Sequence, residues 1–321
     1  MKDDLKKIVI EDFESSTGKK LQNLQLSYQF FGKRLGTAPI ILINHALTGN
    51  STVSGKHGWW SEIVGINRAI DLNKFTVLCI NIPGNGFNEE NFNFSVELDL
   101  GDIANIFIRA LNKLKISKLH AIIGGSIGGC LTWEMAAIKN DIAEKIIPVA
   151  SDWKANDWLI ANTFLQDRIL ENSKDPIGDA RIHAMTFYRT PESLNQRFLR
   201  SKNIEKGIYN VESWLDHHAI KLNQRFSLNS YKFLNKLLRS ANITRDDSRL
   251  ESKIKPSKSE IHIISVDSDI FFLPDEDKMT TQRLEKQKVK IKNHVIESIH
   301  GHDAFLIETK QISDIFTKIL I

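Results

Sequence analysis

Short buried-strand patterns alternate with helical patterns along the first 150 residues of the chain. Runs rich in Ile, Val and Leu, bounded by Gly, Pro or Asn, predict strands at residues 39–46, 75–81 and 119–125. Between the last two runs, apolar side chains recur at helical spacing over residues 98–115. Near-continuous apolar strands that alternate with helices are typical of a parallel sheet covered on both faces. The pattern therefore predicts an α/β fold.

The following hundred residues show helical periodicity and no convincing strand. The predicted helices span residues 158–170, 191–198, 211–226 and 230–238. A polar linker at 242–260 then leads to a strand at 261–266, a helix at 278–290, a strand at 294–298 and a helix from Ala304. An all-helical block inside an α/β chain indicates an inserted cap. We expect a core of residues 1–150 and 256–321 and a helical cap of residues 151–255.

Composition excludes several classes of protein. The 321 residues are 41% apolar and 26% charged, which suits a folded domain rather than a disordered chain. No run of 18 apolar residues predicts a membrane span, and residues 1–16 lack the apolar segment of a secretory signal. Cys79 and Cys130 are too few for a disulfide framework or a four-thiolate zinc site. We expect a cytoplasmic protein with two buried thiols.

The basic excess is concentrated in the middle of the chain. The whole sequence carries 43 basic and 39 acidic side chains, a formal charge of +4. Residues 151–260 hold 19 basic and 14 acidic side chains, a net of +5, and the rest of the chain is near neutral. The ordinary interpretation is a helical segment with a solvated face, and the alternative is a cap that attracts an anionic substrate. We expect no nucleic-acid and no membrane partner.

The strongest chemical signal is the sequence GGSIGG at residues 124–129. It contains G-x-S-x-G, follows an apolar strand pattern and precedes a helical one, as a nucleophile elbow requires. The turn is so sharp that side chains two residues before or after Ser126 would clash. Ile127 would begin the helix, where its N–H lies at the positive end. A dinucleotide-binding turn is the alternative, but G-x-G-x-x-G is absent.

A nucleophilic serine needs a base, and the base needs an orienting acid. In the fold that carries this elbow, the chain order is serine, acid, histidine. The strand at 261–266 is followed by two candidate acids, Asp267 and Asp269, and the last strand by two candidate bases, His300 and His302. We select Asp269 and His302, which are 33 residues apart. The pair His217-His218 lacks the other ligands of a metal site, so no metal is expected.

Acyl transfer also requires donors for the oxyanion. One should be the backbone N–H of Ile127, next to the serine, and the other should come from the loop after an early strand. The segment NHALTG at residues 44–49 occupies that place, and the N–H of Leu47 is our candidate. We interpret His45 as a buried histidine that holds this loop.

The chain resembles the homoserine O-acetyltransferase family of α/β-hydrolase-fold enzymes. HALTG at 45–49, GWW at 58–60, GGSIGG at 124–129 and GHDAFLIE at 301–308 carry the resemblance, with cap stretches at 184–198 and 227–234. It extends from about residue 26 to the end. The resemblance implies an α/β-hydrolase fold with a mostly parallel central sheet, helices on both faces and an inserted helical cap.

The resemblance also implies a function. The enzyme would move an acetyl group from acetyl-CoA to the hydroxyl of L-homoserine in methionine biosynthesis, by a ping-pong mechanism and with no permanently bound cofactor. Asp303 would hold the amino group of the acceptor, and Arg197 would pair with its carboxylate, which the planar guanidinium matches. A homodimer through cap helices is also implied. The alternatives are a helix-surface position for Arg197 and a helix N-cap for Asp303.

Departures from the family pattern leave other functions open. The stretch Asn81–Phe94 lacks the family's Ser-Thr-Gly-Pro run. We expect no further arginine beside the HALTG loop that could pair with a succinyl carboxylate, which favours an acetyl over a succinyl donor. The alternatives are a serine O-acetyltransferase, a homoserine O-succinyltransferase, an esterase or thioesterase of the same fold, and a non-catalytic binding protein.

Overall fold

The computed structural model describes residues 5–87, 92–246 and 248–321. Its strands are β1 (Lys6–Glu14), β2 (Lys20–Gly32), β3 (Ile40–Asn44), β4 (Val64–Gly65), β5 (Ile70–Asp71), β6 (Thr76–Ile80), β7 (Leu119–Gly125), β8 (Ala143–Val149), β9 (Lys202–Asn203), β10 (Ile208–Tyr209), β11 (Glu260–Val266) and β12 (Ile291–Ile296). Residues 88–91, within the atypical stretch Asn81–Phe94, lie outside the described residues.

The helices are α1 (Leu100–Lys113), α2 (Ile127–Ile138), α3 (Asp157–Asn172), α4 (Pro176–Tyr188), α5 (Pro191–Phe198), α6 (Asn210–Asn223), α7 (Leu228–Arg239), α8 (Leu250–Lys253), α9 (Pro274–Lys286), α10 (Ala304–Ile307) and α11 (Thr309–Ile319), with a 3₁₀ turn at Gly301–Asp303. Within the described residues, no helix has both the length and the apolar character needed to cross a membrane.

One eight-stranded sheet organises the fold, in the order β1-β2-β6-β3-β7-β8-β11-β12. The six strands from β6 to β12 are parallel, and β2 and β1 add an antiparallel edge. Because parallel strands share one carboxyl edge, the loops after β3, β7, β11 and β12 meet there. The predicted α/β fold is confirmed.

Alternate side chains of each central strand enter two separate cores. In β3, Leu42 faces the core formed with α1, α2 and α9, whereas Ile41 and Ile43 face the core that includes Phe316 of α11. All three side chains are fully buried. This explains why the strand reads as a continuous apolar run, since neither face meets water.

Sequence reasoning missed three strands of the main sheet. In β1 only two of the nine residues are buried, because an edge strand exposes most of its length. The neighbouring β2 and the more central β8 were also missed, and β8 carries the charged pair Glu144-Lys145 directly after its first residue, Ala143, in a sequence that otherwise suits a buried strand. Their signals were weak because hydrophobic periodicity marks only the buried positions.

The segment between β8 and β11 is largely helical, as predicted, with three differences. Helix α4 was missed, the short helix α8 lies within the predicted polar linker, and β9 pairs with β10 as a short hairpin where no strand was expected. Four of these helices begin at a side chain that accepts a hydrogen bond from the first turn, namely Asn156, Asp175, Thr190 and Ser227. Local capping therefore sets where these helices start.

Candidate active site

A strained turn joins β7 to α2 and carries Ser126. Its backbone has φ 57° and ψ −127°, a conformation that non-glycine residues rarely adopt. A Cβ on Gly124 would lie 2.0 Å from the carbonyl oxygen of Gly128, so strand and helix meet where no side chain fits. The N–H of Ser126 donates to the carbonyl of Val149 at 2.9 Å. The turn therefore holds Ser126 rigidly at the carboxyl edge of the sheet.

The structure brings Ser126, His302 and Asp269 into one hydrogen-bonded series. Ser126 Oγ lies 3.0 Å from His302 Nε2, and His302 Nδ1 lies 2.8 Å from Asp269 Oδ2. Asp269 Oδ1 accepts the N–H groups of Phe271 at 2.7 Å and Phe272 at 3.0 Å. Because the carboxylate accepts from Nδ1–H, Nε2 is left to accept the serine proton.

The two alternative residues are engaged elsewhere. Asp267 Oδ1 accepts the N–H of Ser298 at 3.0 Å, which joins the loops after β11 and β12. His300 Nδ1 lies 2.9 Å from the hydroxyl of Ser193 on α5. Both side chains hold loops in place and neither enters the hydrogen-bonded series at Ser126.

Aromatic rings enclose the imidazole of His302. Four of them have centroids 5.1–5.5 Å from its own, and they belong to Tyr188, Phe271, Phe272 and Phe305. The side chains of His302 and Asp269 are 3% and 1% exposed. Such a shell limits the access of water to the serine and its base.

The loop after β3 packs directly on the first turn of α2. A Cβ on Gly128 would lie 2.2 Å from the carbonyl oxygen of Asn44, so the two backbones touch. Within the described residues, no hydrogen bond occupies the N–H of Leu47 or Ile127. Both residues are buried, and Ile127 directly follows Ser126. Free backbone N–H groups of this kind are the donors that an oxyanion site requires.

His45 holds this loop through both ring nitrogens. Nδ1–H donates to the carbonyl of Ala46 at 2.8 Å, and Nε2 accepts the N–H of Ile82 at 3.0 Å. Burial lowers the pKa of His45 to about 4, against the effect of its bond to Ala46. The ring is therefore neutral at neutral pH and serves as a fixed strut between the loops after β3 and β6.

Asp303 follows His302 and is largely buried. It stands at the N-cap position of α10, yet its side chain makes no capping hydrogen bond. Burial raises the pKa of Asp303, while the nearby charges of Arg181, His302 and Arg189 lower it. Its Oδ2 lies 3.9 Å from Nε of Arg189. The carboxylate thus faces cations beside the base rather than closing the helix.

Arg197 lies on the exposed face of α5. Its guanidinium stacks 5.5 Å from the ring centroids of both Phe198 and Trp214. Within the described residues, no ion pair or hydrogen bond fixes it. The structure therefore places Arg197 in an open cleft with Trp214 and His217, and not in contact with the series at Ser126.

Sequence reasoning missed three arginines near the site, and one of them is Arg181, whose guanidinium lies 5.8 Å from the Tyr188 ring centroid and whose charge lowers the pKa of Asp303. Arg189 lies within residues 184–198, which resemble the family, but nothing local in the sequence distinguishes a buried arginine from an exposed one. Arg225 Nη1 donates to the carbonyl of Thr48 at 2.7 Å. The inference that no arginine stands beside HALTG was therefore wrong, because the cap brings one from 177 residues away. The preference for an acetyl donor loses that support.

Comparisons with known proteins identify the fold and the family. Residues 39–307 match the model of the alpha/beta hydrolase fold family. A relative from Cyclobacterium marinum named homoserine O-acetyltransferase is 30% identical over 327 residues, which cover 94% of this chain and 91% of the relative. The chain belongs to the homoserine O-acetyltransferase family. The resemblance drawn from HALTG and GHDAFL is confirmed, and so is the α/β-hydrolase fold.

Solved structures show how widely this architecture is shared. The homoserine O-acetyltransferase from Staphylococcus aureus superposes with a TM-score of 0.86 at 23% identity, covering 98% of this chain and 94% of that one. Esterase E22 gives the same TM-score at 18% identity, covering 99% of both chains. Transferases and hydrolases thus share the fold of the homoserine O-acetyltransferase family, so the backbone alone does not separate the two activities.

Proposed function

We propose that this chain is a homoserine O-acetyltransferase that carries an acetyl group from acetyl-CoA to the side-chain hydroxyl of L-homoserine. The observation that carries the proposal is the site's composition. A hydrogen-bonded Ser126–His302–Asp269 series stands beside the half-buried carboxylate of Asp303 and a buried arginine, Arg189. An acceptor with both an amino group and a carboxylate fits that pairing of charges. The product, an O-acetyl amino acid, suits a role in methionine biosynthesis.

In the first half-reaction, Ser126 Oγ attacks the thioester carbonyl of acetyl-CoA while His302 Nε2 takes its proton. The N–H groups of Leu47 and Ile127 stabilise the oxyanion. The C–S bond then breaks, CoA leaves as its thiol after receiving the proton from His302, and an acetyl ester remains on Ser126. Asp269 stabilises the imidazolium throughout.

In the second half-reaction, His302 removes the proton of the homoserine hydroxyl, which attacks the acetyl ester. The same two N–H groups stabilise the second oxyanion, and Ser126 recovers its proton as it leaves. Water competes with the acceptor at this stage. The aromatic shell around His302 favours transferase over hydrolase activity, because it limits the entry of water.

Asp303 and Arg197 are the proposed acceptor-binding residues. Asp303 is suited to the amino group, because it is adjacent to the base and carries no capping bond. Arg197 is suited to the carboxylate by its position in the cap and its bidentate fork. Both are expected to act on acceptor binding rather than on formation of the acetyl-enzyme.

The quaternary structure stays a prediction. Helix α3 exposes apolar side chains, Ile160, Phe164 and Leu165, which supports the expected homodimer through cap helices. The core of residues 1–150 and 256–321 and the cap of residues 151–255 are likewise our proposed division of the chain.

The deciding experiment follows CoA release and product formation with acetyl-CoA and either homoserine, serine or water. We expect release to depend on homoserine and to yield O-acetylhomoserine. Release that is equally fast without an amino acid would make the protein a thioesterase. Preference for serine as the acceptor would make the protein a serine O-acetyltransferase, and preference for succinyl-CoA as the donor would make it a homoserine O-succinyltransferase.

Ser126→Ala provides the control for the nucleophile. The acetyl-enzyme, detected by mass spectrometry after a short incubation with acetyl-CoA, should vanish in this variant. Persistent labelling at another residue would show that the nucleophile is misassigned.

A further inference from the structure

The side chain of His45 acts on the peptide group that links Ala46 to Leu47. His45 Nδ1–H donates to the carbonyl oxygen of Ala46 at 2.8 Å. The N–H of Gly49 donates to the same oxygen, also at 2.8 Å, and closes a tight turn around Leu47 and Thr48. A carbonyl oxygen has two lone pairs, and each of them is engaged here. The direction of the Ala46 carbonyl is therefore fixed from two sides.

A planar peptide group carries its carbonyl and its N–H in opposite directions. The bond between Ala46 and Leu47 is trans, so the Ala46 C=O and the Leu47 N–H point to opposite sides of one rigid plane. Whatever fixes the oxygen therefore fixes the hydrogen. Within the described residues the N–H of Leu47 makes no hydrogen bond of its own. Its direction thus depends on the contacts at the other end of its peptide group.

The far side of the His45 ring decides which nitrogen carries the proton. Nε2 lies 3.0 Å from the backbone nitrogen of Ile82, and a backbone N–H can only donate. Nε2 must therefore accept, so the proton of the neutral ring is on Nδ1. The side-chain Nδ2 of Asn85, 3.3 Å from Nε2, is a second donor on the same side. The tautomer that these contacts impose is the one that presents a donor to Ala46.

The backbone of His45 is packed against the turn that carries Ser126. A Cβ on Gly128, two residues after Ser126, would lie 2.8 Å from the carbonyl oxygen of His45. The side chain of His45 is fully buried, so its ring is surrounded by packed atoms. The ring and the loop it holds are therefore in place relative to Ser126 before a substrate binds.

We infer that His45 is a positioning residue that aims the N–H of Leu47 at the oxyanion, by holding the carbonyl of the same peptide group. This inference rests on the proposed function, which assigns the oxyanion to the N–H groups of Leu47 and Ile127. His45 itself touches neither the substrate nor the reacting atoms. Without its Nδ1–H the donor of Leu47 would still be present but misdirected, and hydrogen bonds weaken steeply as their angle departs from linearity.

Two substitutions separate the roles of the two ring nitrogens. His45→Asn places an amide nitrogen near the position of Nδ1, so it still donates to Ala46 but no longer reaches Ile82. His45→Gln places an amide oxygen near the position of Nε2, so it still accepts from Ile82 but no longer donates to Ala46. If His45 aims the oxyanion donor, the glutamine variant loses more catalysis. If His45 only fastens the two loops together, the asparagine variant loses more.

The readout compares p-nitrophenyl acetate with its thionoester, in which sulfur replaces the carbonyl oxygen. Each ester acylates Ser126 and releases p-nitrophenol, which is followed by its absorbance in the first turnover. Sulfur accepts hydrogen bonds more weakly than oxygen, so the oxyanion donors favour the oxygen ester. We expect the oxygen-to-sulfur ratio of acylation rates to fall at least about 10-fold in His45→Gln and to stay within about two-fold of wild type in His45→Asn, against roughly 100- to 1,000-fold in rate for complete loss of a donor.

Asn85→Ala is the matched control, because it removes a donor to Nε2 and leaves the bond from Nδ1 to Ala46 in place. Its oxygen-to-sulfur ratio should match that of wild type even if its Tm is lower. An unchanged ratio in His45→Gln would overturn the inference, and so would equal falls in His45→Gln and His45→Asn. If the glutamine variant does not fold, the asparagine variant still decides, since it has lost the bond to Ile82. A retained ratio then supports the inference, and a reduced ratio overturns it.

The proposed function and this inference can fail separately. Neither p-nitrophenyl ester contains CoA or needs an amino-acid acceptor, so the ratio is measured equally well on a transferase and on a hydrolase. The donor and the acceptor are decided by the assay of CoA release. A ratio that falls in His45→Gln, together with CoA release that needs no amino acid, would keep the role of His45 and reject the transferase activity.

Discussion

Two buried carboxyl groups lie behind Asp269, one of them directly after β8. Burial is the main reason that the pKa of Asp152 rises to about 7 from its usual value near 3.8, and the negative charge of Glu276 adds to this rise. Asp277 on α9 is also buried, and burial together with the charges of Asp152 and Asp269 raises its pKa. Both groups therefore bind protons more tightly in the native protein than in an unfolded chain.

This pair makes stability depend on pH in a direction opposite to that of most carboxylates. Between about pH 4 and pH 7 the native chain holds a proton on Asp152 that the unfolded chain has lost, so the free energy of unfolding falls as pH rises. Asp152→Asn removes this titration. Its stability relative to wild type should therefore grow by about 4 kcal/mol from pH 4 to pH 8, measured by urea denaturation.

The control for this prediction is Asp314→Asn, at an exposed residue of α11 paired with Lys310. Its stability difference from wild type should vary little over the same pH range. A pH-independent difference for Asp152→Asn would show that the carboxyl group is ionised in the native protein.

At the scale of single residues, the sequence was informative where the signal was local. The elbow at Ser126 was recognisable because glycines at fixed spacing reflect contacts within one turn. Arg189 gave no such signal, because its burial depends on how α4 packs against the loop before His302. The order of acid and base along the chain left two candidate acids and two candidate bases. The hydrogen bonds of the structure then distinguish the two acids from each other and the two bases from each other.

At the scale of elements, a buried ion pair fastens the segment after α7 to helix α2. Arg245 Nη1 donates to Glu134 Oε2 at 3.0 Å, and the N–H of Asn242 donates to the same carboxylate at 3.0 Å. The Glu134 side chain is 2% exposed. Burial raises the pKa of Glu134, and Arg245 lowers it. The segment that leads from the cap back to the core is thus hydrogen-bonded to α2, the helix that begins directly after Ser126.

Arg245→Gln should destabilise the protein by about 3 kcal/mol, because it leaves a buried carboxylate without its cation. The measurement is a shift in the urea midpoint at pH 7. Adding Glu134→Gln should recover part of the loss, since the double variant buries no unpaired charge.

Arg283→Gln is the matched control, because Arg283 also pairs with a glutamate, Glu251, but with side chains 41% and 26% exposed. It should cost less than about 1 kcal/mol. Equal losses at both arginines would mean that burial of Glu134 does not govern the effect.

At the scale of the whole molecule, the charges divide unevenly between the proposed core and cap. The segment 151–260 carries a net +5, and the remaining residues are near neutral. Acetyl-CoA carries several negative charges on its phosphates. A basic surface over the site would therefore raise the rate at which this donor arrives.

The second-order constant kcat/KM for acetyl-CoA should then fall about three-fold or more between 50 and 500 mM salt, at saturating acceptor. The uncharged donor p-nitrophenyl acetate serves as the reference and should change little. Parallel responses of the two donors would rule out electrostatic attraction by the cap.

The sequence alone determined the alternation of strands and helices, the elbow at Ser126 and the likeness to a family. These features depend on neighbours along the chain, whose periodicity and turn chemistry are visible in the letters. The tertiary structure decided which arginine is buried beside Asp303, and it brought Arg225 to the loop after β3. Burial and distance between remote residues arise from packing of the whole chain, and no local pattern records them.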